Sequence, residues 1–276
     1  MSAPGYPLGY SEDEARRLAL QAALFEDLTA DVLRRAGIGP GMQILDLGCG
    51  VGDVSLLAAS MVGTSGTVLG IDRNTSSTDT ARRRAAALDL SNIRFETAEL
   101  DQFDTVETFD ALIGRFVLLY LPDPAATLRR FQKFLRPSGI VAFQEMDMKE
   151  VSQVPASEVF ERTRSWLLTA FKLGGVELNM GGRMPSLFMK AGLPRPAMIA
   201  ASRVESGSDS TAYEYMAQTL RSVLPALERA GITTADEVGA DTLADRLRRE
   251  AAAKDSVTFL PRLEVLIFGP ERPALG

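Results

Sequence analysis

The sequence predicts a doubly wound α/β fold, and three observations carry that expectation. The first is Ile44-Leu45-Asp46-Leu47-Gly48-Cys49-Gly50-Val51-Gly52-Asp53, an apolar run ending in an acid and a glycine-rich turn. The second is another apolar run, Val68-Leu69-Gly70-Ile71, which ends in Asp72 twenty residues after Gly52. The third is the alternation of short apolar runs with helical segments from residue 42 onward. Strand, glycine turn, helix and acid-tipped strand form one nucleoside-binding half of such a sheet.

The elements follow in order. Residues 1–10 are rich in Gly, Pro and Tyr and predict an irregular arm. Ser11 and Glu14 have the spacing of a capping box. Leu18, Ala22, Phe25, Leu28 and Val32 then recur at helical spacing until Gly37-Ile38-Gly39-Pro40-Gly41 stops the pattern. Strands are expected at Gln43–Leu47, Thr67–Asp72, Ile93–Thr97, Ala111–Ile113 and Ile140–Glu145, with helices near 53–62, 75–88 and 124–135. Right-handed crossovers put the C-terminal end of every strand on one edge, where ligands bind in such sheets. After residue 150 the regularity changes. Helices are expected over 158–173, 185–191, 211–230 and 234–253, and strands over 197–206 and 256–268.

The totals set bounds. A chain of 276 residues, 46% apolar, can bury a sizeable core. A net charge of −6 argues against nucleic acid as a partner, and Arg82-Arg83-Arg84 and Arg129-Arg130 suit solvated helix faces better than a nucleic-acid groove. No apolar run reaches the ~18 residues that span a bilayer. Neither a membrane partner nor a secretory signal is expected, and the simplest location is the cytoplasm. The lone cysteine, Cys49, allows no intrachain disulfide and is read as a small loop residue rather than a nucleophile. The chain has no histidine, which excludes Ser-His-Asp and Cys-His catalysis and, with one cysteine, the usual zinc ligand sets.

The turn also discriminates between ligands. A dinucleotide fingerprint, G-x-G-x-x-G, would place its third glycine at position 53, which is Asp53. The pattern of Asp46, Gly48, Gly50 and Gly52 resembles motif I of the class I S-adenosylmethionine (SAM) dependent methyltransferases. Asp72 at the next strand tip and Leu135-Arg136-Pro137-Ser138-Gly139 before the fifth strand strengthen the resemblance, which covers about residues 40–145. It implies a Rossmann-like, mostly parallel seven-stranded sheet. Residues 1–40 would form an N-terminal arm and lid helix. Residues 41–276 would form the methyltransferase domain, with cap helices at about 155–190 and 211–253 around the sixth and seventh strands.

The resemblance also implies a cofactor, SAM, with S-adenosylhomocysteine as product. Gly48 and Gly50 would let backbone amides approach its methionine part. Asp46 would orient its ammonium group, and Asp72 would accept hydrogen bonds from both ribose hydroxyls. Arg73 could cover the adenine. Thr97 stands where the family often has Asp, so the adenine contacts would fall to the backbone amide of Ala98 and the carboxylate of Glu99. Arg115, after the fourth strand, is placed against the cofactor.

Methyl transfer from a sulfonium is an in-line displacement that needs proximity, alignment and water exclusion, with a base only for a protonated acceptor. Glu145 is the preferred candidate base, with Tyr10 on the lid as a second; Asp147 and Tyr120 are further options. Arg183 could anchor an anionic substrate. Glu145 and Asp147, two apart, could suggest Mg²⁺, but Gly114-Arg115 stands where metal-dependent relatives carry an acid and an amide, so no metal is expected. Trp166, Leu167, Leu168, Phe171, Leu187, Phe188, Met189, Tyr213, Tyr215 and Met216 are expected to be core, with some lining an apolar pocket. The expected acceptor is a small hydrophobic molecule, with O-methylation favoured, N- or C-methylation open, and natural-product biosynthesis as the setting. The alternatives are a SAM-retaining enzyme of another class, such as a pericyclase, a non-catalytic SAM-binding protein, or a nicotinamide enzyme. A homodimer through the cap or the N-terminal helix is left open.

Overall fold

The computed structural model describes Leu8 and residues 12–268. The chain divides into two compact units. Of the described residues, one holds Leu8, 12–25, Met146–Asn179 and Ala201–Leu263, and the other holds Glu26–Glu145, Met180–Ala200 and 264–268. In chain order the first elements are α1 (Glu12–Arg35), β1 (Gln43–Leu47), α2 (Asp53–Val62), β2 (Thr67–Asp72), α3 (Thr75–Ala87), β3 (Ile93–Thr97), β4 (Phe109–Arg115), α4 (Pro124–Phe131) and β5 (Leu135–Asp147). There follow β6 (Ser152–Val154), α5 (Glu158–Leu173), α6 (Met180–Lys190), β7 (Ala197–Ala201), β8 (Val204–Ser206), α7 (Ala212–Arg229), α8 (Ala235–Val238), α9 (Leu243–Ala253), β9 (Val257–Phe259) and β10 (Arg262–Phe268).

The sheet unit is built on seven strands in the order β3-β2-β1-β4-β5-β10-β7. Strand β1 runs parallel to β2 and β4, β2 to β3, and β4 to β5. Central parallel strands are covered on both faces and need continuous apolar runs. Ile44, Leu45 and Leu47 accordingly have no exposed surface. One core layer joins Val32 and Leu33 of α1 with Val54 and Ala58 of α2, Ile113 of β4 and Ala142 of β5. The strand order reverses at β1, between β2 and β4. This switch point opens a crevice at the C-terminal ends of the strands. Register places Asp46 beside Gly70 and Ile113, one residue short of the tip of β1.

The other unit has a three-stranded antiparallel sheet, β6-β9-β8, and α5 and α9 packed on α7. The first half of α1 belongs here. Its Arg17, 2% exposed, forks onto both carboxylate oxygens of Glu14 at 2.7 Å and donates to Gln21 at 2.6 Å. Ser222 of α7 donates to Glu14 and Tyr215 to Gln21. A buried, saturated ionic cluster of this kind fixes which faces of two helices meet rather than adding much stability.

Three expected elements break in two. The strand over 197–206 splits into β7 and β8 at Ser202, whose hydroxyl donates to the Leu260 carbonyl at 2.7 Å. The strand over 256–268 is interrupted by Pro261, which offers no amide to a ladder. The helix over 234–253 is cut at Gly239, which takes a left-handed conformation and ends α8. By contrast, α6 starts earlier than expected and carries Pro185 inside it. Helix α6 groups with the sheet unit, where Phe188 meets Phe143 edge to face. Among the described residues no helix is long and apolar enough to cross a membrane.

Candidate cofactor site

Two acids stand at neighbouring strand ends. Asp46 is 1% exposed and accepts a 2.5 Å hydrogen bond from the hydroxyl of Ser55, in the first turn of α2. Burial raises its pKa to about 7, against the lowering effects of the Ser55 hydroxyl and of Arg115. The nearby carboxylates of Asp72 and Asp53 add to the rise. Asp72 is half-buried at the end of β2. Its two oxygens accept from the backbone amides of Gly50 at 3.0 Å and Asn74 at 2.8 Å. Burial raises its pKa, while those two amides and Arg73 oppose the rise. Asp72 therefore ties the glycine loop to the start of α3.

The loop itself is shaped by steric room. Gly48 has φ +64°, and a Cβ there would lie 2.6 Å from Cγ2 of Val117. Gly50 has φ +53°, and a Cβ there would meet nothing within 4 Å. One glycine is thus wedged against the chain after β4, and the other faces open space. Substituting Gly48→Ala costs about 1–2 kcal/mol for the left-handed backbone alone and forces Val117 to shift as well. Thermal unfolding should show the loss of stability, and cofactor titration should show at least a tenfold loss of affinity. An unchanged melting temperature would show that the loop moves freely.

Cys49 is buried, and its thiol pKa is pushed well up, first by burial and then by the Asp46 and Asp72 carboxylates. That suits a small loop residue and not a nucleophile. Arg73 is exposed and follows Asp72 directly. The amide of Ala98 donates to the carbonyl of Asp72 at 2.9 Å, so it is engaged within the chain. Glu99 is exposed, and its carbonyl accepts from the amides of Gln102 and Phe103. Arg115 donates to Thr29 at 3.0 Å and lies 3.9 Å from Asp53, which itself pairs with Arg84 at 2.6 Å.

Glu145, the candidate base, has no exposed surface. Its Oε1 accepts from the amides of Val117 at 2.9 Å and Leu118 at 2.7 Å. Burial raises its pKa to about 8, so the carboxyl is largely protonated at neutral pH. In this structure the Glu145 carboxyl is engaged with the backbone of the turn after β4. Tyr10 lies outside the described residues. Asp147 pairs with Arg262 at 3.0 Å, and Arg183 is exposed. Of the expected core aromatics and aliphatics, Phe171, Leu187, Phe188, Tyr213, Tyr215 and Met216 are buried, whereas Met189 is 45% exposed.

Sequence reasoning missed Ser55, Val117 and Gln144. Ser55 is signalled only by being a hydroxyl one turn into the helix that follows the loop. Gln144 lies beneath the turn after β4. Its Oε1 accepts from Thr29 at 2.8 Å, while its backbone carbonyl accepts from Phe116 at 2.9 Å. Phe116 has φ +56°, and no residue type at this place announces that conformation.

The residues fit SAM. The buried Asp46 carboxyl would gain most from a cation, the space at Gly50 is open, and Asp72 lies at the strand tip where a ribose would sit. Comparison with known proteins agrees. A family model described as a methyltransferase domain matches residues 38–178. A 2-phytyl-1,4-naphtoquinone methyltransferase of Synechococcus elongatus is 36% identical over 111 residues, covering 39% of this chain and 47% of that protein. A ubiquinone biosynthesis O-methyltransferase of Neisseria meningitidis is 34% identical over 110 residues, covering 39% of this chain and 45% of that protein. The matched region spans less than half the length of these relatives. The crystal structure of the YcgJ protein from Bacillus subtilis shares the fold, with a TM-score of 0.58 at 14% identity over 87% of this chain and 97% of that one. The chain belongs to the methyltransferase-domain family, the class I SAM-dependent methyltransferases.

Proposed function

We propose that this protein transfers the methyl group of SAM to a small, hydrophobic organic acceptor. The observation that carries the reading is the pair of acids at the ends of β1 and β2, one buried and poised for a cation, flanking a glycine loop with open space at Gly50. Asp46 orients the cofactor's ammonium group. Asp72 takes the ribose hydroxyls, and Gly48 and Gly50 admit the methionine part. Arg73 and Glu99 lie along the adenine, and Arg115 supports the amino acid end. Ala98 serves the same site by fixing the carbonyl of Asp72.

The acceptor class rests on the relatives. Two of them are by name a naphtoquinone methyltransferase and a ubiquinone biosynthesis O-methyltransferase. O-methylation is the favoured outcome, with natural-product biosynthesis as its setting. Tyr10 remains the proposed base for an acceptor that arrives protonated.

Calorimetric titration of the cofactor-free protein with SAM and then S-adenosylhomocysteine is the first test. Micromolar binding of both supports the reading and justifies a screen of phenolic and quinol acceptors for methyl incorporation. Absence of binding by either removes the cofactor assignment. Conversion of an acceptor without methyl incorporation replaces methyl transfer with another reaction class.

A further inference from the structure

The turn after β4 is pinned from below at three successive amides. Phe116 donates to the Gln144 carbonyl, and Val117 and Leu118 donate to the side chain of Glu145. Val117 is then wedged between two glycines. A Cβ on Gly48 would meet its Cγ2 at 2.6 Å, and a Cβ on Gly114 would meet its Cγ1 at 3.0 Å. We propose that Glu145 is a positioning residue: its carboxyl, through the amides of Val117 and Leu118, holds Val117 against Gly48 and so sets the shape of the cofactor loop. The inference rests on the proposed use of that loop for SAM.

The chemistry of the contact supports this role. Glu145 Oε1 takes both amides, while Oε2 is buried with no hydrogen-bond partner among the described residues. Besides burial, the groups acting most on this carboxyl among the described residues are the backbone amides of Leu118, Val117 and Leu119. A neutral carboxyl has one carbonyl oxygen that accepts both amides and one hydroxyl, and it carries no uncompensated charge. Glutamine reproduces this arrangement, because its carbonyl oxygen can accept the same two bonds. Alanine leaves two buried amides without a partner.

The experiment compares native protein, E145Q and E145A by SAM titration, by turnover and by hydrogen exchange of the 117–118 amides. The expected result is a SAM dissociation constant at least tenfold weaker in E145A and within about threefold of native in E145Q. Exchange protection at 117–118 should be lost in E145A and kept in E145Q. Native SAM affinity in E145A overturns the proposal. So does E145Q that binds SAM normally but fails to turn over, which would return Glu145 to the role of base. If even native protein does not bind SAM, the methyltransferase reading fails separately, and the exchange data still decide whether Glu145 holds the turn. Should E145A not fold, V117A decides: loss of the side chain seated on Gly48 should weaken SAM at least tenfold, and native SAM affinity in V117A overturns the proposal.

Discussion

Asp72→Ala should weaken SAM at least a hundredfold and leave the far-ultraviolet circular dichroism spectrum unchanged. Hydrogen bonds to a charged acceptor are worth about 1.5–3 kcal/mol each. Two bonds to a vicinal diol therefore reach or exceed the 2.7 kcal/mol that a hundredfold requires. The carboxylate has a second duty, since it receives the amides of Gly50 and Asn74. Removing it frees the glycine loop from the start of α3, so the melting temperature should fall by a few degrees, as about 1 kcal/mol implies. The fold survives because β2 is held by Val68, Leu69 and Ile71, all buried within the sheet. The two duties are separable with a cofactor analogue lacking one ribose hydroxyl. Native protein should bind that analogue more weakly than the parent molecule, and D72A should bind the two alike. A D72A protein that binds SAM within threefold of native would refute the ribose assignment.

The half of the molecule around this site was legible because its physics is local. A buried parallel strand demands an apolar run, a strand tip exposes a carboxylate, and a tight turn demands glycine. Those demands wrote β1, β2 and the loop into the sequence directly. What escaped depends on tertiary contact. Glu145 looks like any strand-end acid until the turn after β4 folds over it with Phe116 in a left-handed conformation. The Ala98 amide looks available until β2 and β3 are in register and the Asp72 carbonyl takes it. The splits at Ser202, Pro261 and Gly239 were marked by ordinary breakers. Runs of β-branched and apolar residues on either side outweighed them in a reading by periodicity alone. The second unit was least legible because amphipathic helices such as α5 and α7 declare a buried face without naming what covers it.

SAM affinity should follow a bell-shaped pH profile whose acid limb belongs to Asp46. Burial holds that carboxyl's pKa at about 7, and only the ionised form attracts an ammonium group. At pH 6 about one site in ten is ionised, so binding should be about tenfold weaker than for the fully ionised site, a difference of about 1.4 kcal/mol. The alkaline limb belongs to the ligand, whose α-amino group loses its proton near pH ~8. Between the limbs, binding draws a proton off Asp46. The calorimetric enthalpy near pH 7 should therefore depend on the buffer's own ionisation enthalpy. The cofactor-free protein should show the opposite slope in its stability on the acid side. A carboxyl whose folded pKa lies above its unfolded value stabilises the fold below the unfolded value and loses that contribution as pH rises through the folded one. For Asp46 that window runs from about 4 to about 7, so apo stability falls just where SAM affinity rises. Asp46→Asn should remove the acid limb of binding, since an amide does not titrate, and should lessen the apo slope, to which Glu145 and Asp72, both raised by burial, also contribute. Affinity that stays flat from pH 6 to 7.5 in the native protein would mean that Asp46 is ionised throughout, or that it does not face the cofactor. The difference between the apo stability curves of native protein and D46N separates those two cases, because Glu145 and Asp72 contribute to both curves and only a titrating Asp46 makes them diverge.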